Sequence, residues 1–441
     1  MDLLEKAQKM LEKYPLCSHC LGRQFALLGY GLTDQSRGEA IKLLLTMKGH
    51  QQALTGKKAG IFLLKTLATN GSFSMAAEIL GKLRKRAGKR RECYLCEGRF
   101  ESISELVERS LKKLKDYEYA TFLVGVELPT KIEEREDEFK AEFEVRHGES
   151  MRNEFSRDIG KKISEITQKP ADYKKPDIVI LVNPFTEKVT IKANPLYVAG
   201  RYKKLARGIP QSKWVCNECG GKGCPKCGGT GKMYQESVEE IIAGPMLQKT
   251  GGEDVSFHAA GREDVDARML GRGRPFVMEV KKPKKRLIDL QSLAETINRQ
   301  AKGKVAVLNL HFASRDTVRK LKKAEAGEKV YRVVVGFDRD ISDEELETLE
   351  KTLTNTMVHQ QTPLRVLHRR ADCVREKYIY EAKIKRLTPN SVEMRIHCQG
   401  GLYIKELITG DEGRTSPNVA NLVSAKAKPL ELDVLNVIVK G

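Results

Sequence analysis

The chain has one tryptophan among 441 residues and only 15 prolines. No apolar run approaches the roughly 18 residues that a membrane span requires. Its first residues carry a charge at every third or fourth position where a signal peptide would have an apolar core, so a soluble, cytoplasmic protein is expected. Internal repeats and low-complexity tracts are also missing, which argues against a solenoid or a disordered tail. Acid is in deficit: 59 Asp and Glu face 79 Lys and Arg, a formal net charge of +20. Such an excess draws a protein toward polyanions, because each neutralised phosphate releases condensed counterions. Nucleic acid is the partner this favours; the ordinary alternative is a basic enzyme with a solvated Lys/Glu surface. With 40% hydrophobic and 31% charged residues, the composition is globular, and the length suggests about three units at roughly 150 residues each.

Ten cysteines look at first like five disulfides, but eight of them fall into four Cys-x2-Cys pairs: Cys17/Cys20, Cys93/Cys96, Cys216/Cys219 and Cys224/Cys227. Two sulfurs three residues apart on a tight turn can share one tetrahedral Zn²⁺, and two such turns close a structural site with no open position. Two zinc sites are therefore expected. One is compact, with its pairs separated only by Gly220-Gly221-Lys222-Gly223; the other spans 72 intervening residues and would clamp an amino-terminal helix onto a later segment. The run Cys227-Gly-Gly-Thr-Gly231 resembles one arm of a DnaJ-type zinc module. Cys373 and Cys398 stand alone and read as buried small hydrophobes.

Apolar spacing predicts helices over 3–11 and 103–114. Between them, seven of the ten residues from Lys82 to Arg91 are basic, among them Arg84, Lys85 and Arg86, a candidate phosphate-binding patch beside the Cys93 knuckle. Strands are expected at 119–128 and 139–146, a helix from 151 to 166, and strands at 177–182 and 188–193. The stretch Lys175-Pro-Asp-Ile-Val-Ile-Leu-Val-Asn-Pro-Phe185, with Val189-Thr-Ile191 and Pro195-Leu-Tyr-Val-Ala-Gly200, resembles the end of a THUMP domain, an RNA-binding module of tRNA-modifying enzymes. The expected organisation is a helical zinc-knuckle region (1–118), a THUMP-like α/β module (119–200), a connector carrying the compact four-cysteine element (201–236) and a carboxy-terminal domain (237–441). In that last domain strands and helices alternate, and Ser342 with Glu345 makes a capping box for a helix. An α+β fold follows, with a mixed, mainly antiparallel central sheet flanked by helices.

The most unusual segment is Gly261-Arg-Glu-Asp-Val-Asp-Ala-Arg-Met-Leu-Gly-Arg-Gly-Arg-Pro-Phe276, read as a loop that sets three acids among four arginines. Flanking guanidinium groups stabilise a carboxylate's charged form. Gly261-Arg262-Glu263-Asp264 resembles the catalytic Gly-Arg-x-Asp loop of the pseudouridine synthase superfamily. Lys329-Val330-Tyr331 is similar to its Lys/Arg-x-Tyr motif, and Gly401-Leu402-Tyr403-Ile404-Lys405-Glu406-Leu407 to its Gly-x-Tyr-Ile-Arg/Lys-x-Leu motif. Flanking text, including Gln361-Thr-Pro-Leu-Arg-Val-Leu-His-Arg-Arg370, resembles the archaeal stand-alone synthases that act on uridines 54 and 55 in the T-loop of tRNA, and the resemblance covers nearly the whole chain.

That resemblance implies a cofactor-independent isomerisation with Asp264 as nucleophile, paired with Lys405, and with Tyr331 against the target uracil. Tyr403, Ile404, Arg262 and Leu432 would line the same pocket. Asp266 is the competing carboxylate, standing where relatives carry varied residues. Two basic stretches would track the tRNA backbone: 281–286, with Lys281, Lys282, Lys284, Lys285 and Arg286, and 365–375, with four arginines, Arg365, Arg369, Arg370 and Arg375. His258 and His368 read as structural or phosphate-contacting. The implied partner is the T-loop and elbow of tRNA, bound by a monomer. The first rival reading is a non-catalytic, zinc-containing RNA-binding or RNA-chaperone protein. The second is a THUMP-linked methyltransferase or thiouridine synthase, against which stands the lack of a Gly-rich cofactor loop after a strand and of an ATP-binding signature.

Overall fold

The computed structural model describes residues 2–323 and 327–438, with the Arg369 side chain also outside the description. The chain divides into two compact units, Met1–Asn194 and Pro195–Gly441.

The first unit opens with α1 (Leu3–Lys13), α2 (Ser18–Arg23), α3 (Asp34–Leu54), α4 (Lys58–Thr69), α5 (Ser74–Lys82) and α6 (Ile103–Leu114). In α1 the expected apolar stripe turns inward through Ala7, Met10 and Leu11; in α6 through Ile103, Leu106, Val107 and Leu114. Helix α3 is less legible because part of its buried face is made of small or polar residues. A Cβ on its Gly38 would lie 1.9 Å from the Ser18 carbonyl oxygen, so glycine is what lets α2 and α3 approach. Three strands follow: β1 (Phe122–Val126), β2 (Ile178–Asn183) and β3 (Lys188–Ala193), with β1 parallel to β2 and β2 antiparallel to β3. Alternation buries Phe122, Val124 and Val126 on β1 and Ile178, Ile180 and Val182 on β2. Between β1 and β2 run α7 (Thr130–Glu142) and α8 (Met151–Thr167). The strand expected at 139–146 does not form. Ile132, Glu136 and Phe139 recur at helical spacing and turn inward as one face of α7, and Phe143 is its cap.

The second unit is built on a ten-stranded sheet. Its elements are β4 (Leu196–Lys204), α9 (Val238–Thr250), β5 (Asp254–Ala259), β6 (Arg268–Lys281), α10 (Leu290–Gln300), β7 (Val305–Ala313), α11 (Arg315–Lys323), β8 (Lys329–Phe337), α12 (Asp343–Leu353), β9 (Thr356–Gln361), β10 (Val374–Thr388), β11 (Ser391–Cys398), α13 (Ile404–Thr409), β12 (Thr415–Ser416) and β13 (Ala427–Val437). The strand order is β12-β9-β10-β11-β8-β13-β6-β4-β7, with β5 on β6. Every pairing is antiparallel except β13 with β6, so the mixed, mainly antiparallel sheet expected from the sequence is present. The capping box of α12 closes as expected between Ser342 and Glu345. Strand β4 departs from the sequence reading. Its first five residues fall inside the expected THUMP-like module, yet it is hydrogen-bonded on both sides, to β6 and β7, and buries Val198, Ala199 and Tyr202 in the core of the second unit. Among the described residues no helix is long and apolar enough to cross a membrane.

Candidate active site

The Gly-Arg-x-Asp motif sits where β5 ends, and the loop it opens is shorter than the glycines suggested. Strand β6 already begins at Arg268 and runs through Gly271, whose positive φ of 54° and close approach let it pass β13: a Cβ there would lie 2.0 Å from the Leu435 carbonyl oxygen. The glycines serve a bent strand.

The loop itself, 261–267, is fixed from below by buried polar groups. Glu263 turns inward and accepts from the Tyr202 hydroxyl at 3.0 Å and from Arg274 Nε at 2.8 Å, while Arg274 Nη1 donates to the Ala260 carbonyl. The carboxylate and the guanidinium are both essentially unexposed. Such a pair is tolerated only with its remaining hydrogen-bonding capacity met, as here. Gln211 donates to both the Tyr202 hydroxyl and the Gly261 carbonyl. Lys204 Nζ, buried, donates to the backbone carbonyls of Ile209, Asp264 and Val265 at 2.8, 2.9 and 3.1 Å. Burial pulls its ammonium below its ordinary value, and the charges of Glu263, Asp266 and Asp264 oppose that. Neither Lys204 nor the Glu263–Arg274–Tyr202 set stands out in the sequence; the only signal is that the motif's variable position is an acid with arginines following it.

Above this support the Asp264 carboxylate faces a cavity of about 520 Å³. Tyr331 from β8, Tyr403, Ile404 and Lys405 at the start of α13, Leu432 from β13 and Arg262 all line it. Every residue that the resemblance assigned to catalysis or uracil binding is thus brought to one cavity. Nine of its lining residues are Lys or Arg against two acids, Glu263 and Asp264. Burial raises the Tyr331 phenol well above its ordinary value, which leaves it a neutral hydroxyl at physiological pH.

The ion pairing differs from the expected one. Lys405 Nζ lies 3.4 Å from Asp264 Oδ2 but makes its short contacts, 2.8 and 2.6 Å, to Asp266. Burial is the largest single influence on Asp266 and works against its ionisation, but the hydrogen bond and charge of Lys405, with smaller help from a backbone bond and the Arg365 charge, together outweigh it and hold the carboxyl below the usual range. Arg365, which the sequence placed only in a basic stretch, comes 3.3 Å from Asp264 Oδ2. Its Nε donates to Glu406 at 2.6 Å, and its guanidinium lies 5.8 Å from the centre of the Tyr403 ring. Burial disfavours this cation, and the bonds to Glu406 and Asp264 raise it nonetheless. Asp264 is therefore flanked by two cations, each tied to a second acid.

Both cysteine sets converge. The reactive atoms of Cys17, Cys20, Cys93 and Cys96 lie within 4.8 Å of one another, as do those of Cys216, Cys219, Cys224 and Cys227. Cys17 and Cys96 sulfurs are 3.6 Å apart, Cys216 and Cys224 3.8 Å, and Cys219 and Cys227 3.9 Å. A tetrahedral ion with Zn–S bonds of about 2.3 Å has S···S edges of about 3.8 Å, so both sets fit a metal of that size and are far too open for disulfides. The amides of Gly223, Cys224 and Gly231 donate to sulfur at 3.2 Å in the compact set. Of the lone cysteines, Cys398 is buried and its thiol is pushed up to about 12 by burial, but Cys373, in the irregular segment just before β10, is exposed and so is not the buried small hydrophobe expected.

Of the expected phosphate contacts, Arg84, Lys85 and Arg86 are exposed after α5, Lys284 and Lys285 are exposed after β6, and Arg370 lines the cavity. Lys281 and Lys282 are exposed but paired with Asp254 and Glu253 at 2.7 Å. Arg286 is buried, so it is unsuited to the backbone contact expected of it. The Arg369 side chain lies outside the described residues. His258 pairs with Glu279 at 3.1 Å, in keeping with a structural role, and His368 is exposed.

Comparison with known proteins matches residues 197–438 to the family model "Pus10, C-terminal" and residues 106–183 to "Pus10 THUMP domain, archaeal". Curated relatives named tRNA pseudouridine synthase Pus10 align over nearly the full length. The one from Methanocaldococcus jannaschii is 44% identical over 97% of this chain and 93% of its own, and the one from Methanothrix thermoacetophila 40% identical over 99% and 94%. That from Pyrococcus furiosus is 39% identical over 99% and 98%. Among solved structures, a Cbf5-Nop10-Gar1 complex aligns with 45% of this chain and 44% of that chain at 14% identity and a TM-score of 0.28, too distant to add to the full-length matches.

Proposed function

Because the chain belongs to the Pus10 family of tRNA pseudouridine synthases and so isomerises uridine in tRNA, we propose that its targets are uridines 54 and 55 of the T-loop, one or both, and that Asp264 is its nucleophile. The observation that carries this reading is the Asp264 carboxylate at the wall of a cation-rich cavity that Tyr331 also lines, in ion-pair range of both Arg365 and Lys405.

The reaction breaks the N1–C1′ bond, turns the uracil, forms a C5–C1′ bond, moves the C5 proton to solvent and leaves a proton on N1. A uridine inside a stack is out of reach, so the base is extruded into the cavity at a cost of a few kcal/mol in lost stacking. There the Tyr331 ring supports its face and the neutral phenol is placed to assist the proton at C5. Asp264 attacks at C1′ of the ribose or C6 of the base, and Arg365 and Lys405 fix its carboxylate for that step. Lysines and arginines around the cavity neutralise the phosphates of the incoming strand. Isomerisation consumes nothing, and no organic cofactor has a part in it.

The first unit, with its THUMP segment and the exposed run Arg84–Lys85–Arg86, grips the tRNA, in the cytoplasm. The two cysteine sets each hold one structural Zn²⁺, which supplies folding free energy and takes no part in the chemistry. Purified enzyme given tRNA transcript tritiated at uracil C5 is expected to release label, with the product mapping to position 54 or 55. Retention of label under conditions where tRNA binds would leave the RNA-binding, non-catalytic reading standing.

A further inference from the structure

The catalytic loop has a second face. A smaller cavity of about 200 Å³ shares Arg262, Glu263, Asp264, Arg365 and Lys405 with the first and adds Gln211, Ser212 and Trp214 from the connector after β4. Trp214 is the chain's sole tryptophan, and it belongs to none of the apolar cores. A residue with the largest apolar surface of any side chain, left half-buried at the rim of a polar cavity, is not serving to fill the interior.

The compact cysteine element holds it there. The Met233 amide donates to the Trp214 carbonyl at 2.9 Å, and Val215 bridges to Lys232. Tyr234 meets the indole edge-on at 5.5 Å between ring centres. On the loop side the Arg262 guanidinium stands 5.9 Å from the indole centre. An aromatic face with a guanidinium beside it is the surface that receives unstacked nucleobases in single-stranded RNA.

The geometry points to a second nucleobase subsite, formed by Trp214 and Arg262, that takes an unpaired base adjoining the target uridine in the same RNA strand. The two cavities have a common wall, so a strand that delivers one base to Asp264 has its neighbour at the indole. The subsite rests on the reading of the larger cavity as the uridine site. It gives the compact cysteine element a role beyond local stability, which is to set the angle of one indole beside the catalytic loop.

Because Trp214 is the only tryptophan, its fluorescence reports on this subsite in the wild-type full-length protein. Titration with a synthetic T-arm hairpin is expected to quench it, and hairpins made abasic on one or the other side of the target uridine should include one that binds without the quench. Trp214→Ala should raise KM on the intact hairpin roughly tenfold with kcat little changed, and should cost nothing further on that abasic hairpin. Its zinc content, equal to wild type, shows that the element is still folded. Fluorescence unchanged at saturating RNA, or a Trp214→Ala penalty undiminished on both abasic hairpins, would overturn the subsite. Wild-type tritium release with a silent Trp214 overturns the subsite alone; no release at all overturns the uridine-site reading with it.

Discussion

The catalytic cavity of the second unit and the exposed basic run of the first use charge in opposite ways, although the first unit also buries an Arg23–Glu136–Glu154 cluster of its own. In the second unit cations and carboxylates face one another: Arg365 and Lys405 are each shared between Asp264 and another acid, and the loop carrying Asp264 rests on a buried Glu263–Arg274 pair. In the first, Arg84, Lys85 and Arg86 stand exposed in a run that contains no acid. The cysteine sets divide the same way. Cys20, Cys93 and Cys96 are part of the first unit's core, whereas three of the four sulfur residues near Trp214 are only half-buried. Opposed charges held rigidly suit chemistry on one base; a one-signed, solvated run suits attraction to a phosphate backbone, which needs no fixed geometry.

Substitutions should separate the units. The largest effect on turnover is expected from Asp264→Ala, a loss of at least about a thousandfold, or about 4 kcal/mol of barrier, with tRNA affinity nearly intact. Cys96→Ser should release one zinc per chain and unfold the first unit, read by metal analysis and thermal denaturation; Cys219→Ser should release one zinc with little change in melting temperature. Equal effects from the two would erase the contrast between a core site and a local one. Glu263→Ala leaves Arg274 buried without its partner and should cost about 3–5 kcal/mol of stability, seen as a lower denaturation midpoint.

How much of this could be read from the sequence depended on the kind of signal. Four Cys-x2-Cys pairs and three ordered motifs were legible because chemistry demands particular atoms at particular spacings, and both cysteine sets and all the pocket residues converge as expected. Partners brought from distant strands were not. Nothing local to Arg365 distinguishes it from Arg370, yet the fold sets it against Asp264, 101 positions away in the chain. Residues 139–146 mislead because Phe139 and Phe143 suit a strand when the helical spacing from Ile132 is overlooked. The same limit hides β4: its nine residues resemble the strand that ends one unit, and only pairing on both edges assigns them to the next.

Smaller effects sharpen the contrast further. Replacing Arg84, Lys85 and Arg86 with alanine should weaken tRNA binding and reduce the slope of log affinity against log salt by about 0.7–0.9 for each phosphate no longer neutralised, without changing kcat at saturation. Asp266→Asn tests the shared lysine. The folded-state value of Asp266 is depressed, so its stabilisation is present above its unfolded value and disappears as pH falls through the folded one. Wild type and variant should differ in stability at neutral pH by no more than about 1 kcal/mol, since Asp266 is largely exposed, and should converge in acid.

The central claim is that one carboxylate in the second unit isomerises a T-loop uridine. Its most direct test is tritium release from C5-labelled tRNA by wild type, Asp264→Ala and Asp266→Ala, measured side by side with product mapping. Release by wild type and Asp266→Ala at position 54 or 55, with none from Asp264→Ala, is the predicted result. Release persisting in Asp264→Ala but lost in Asp266→Ala would contradict it and move the nucleophile two residues along the loop.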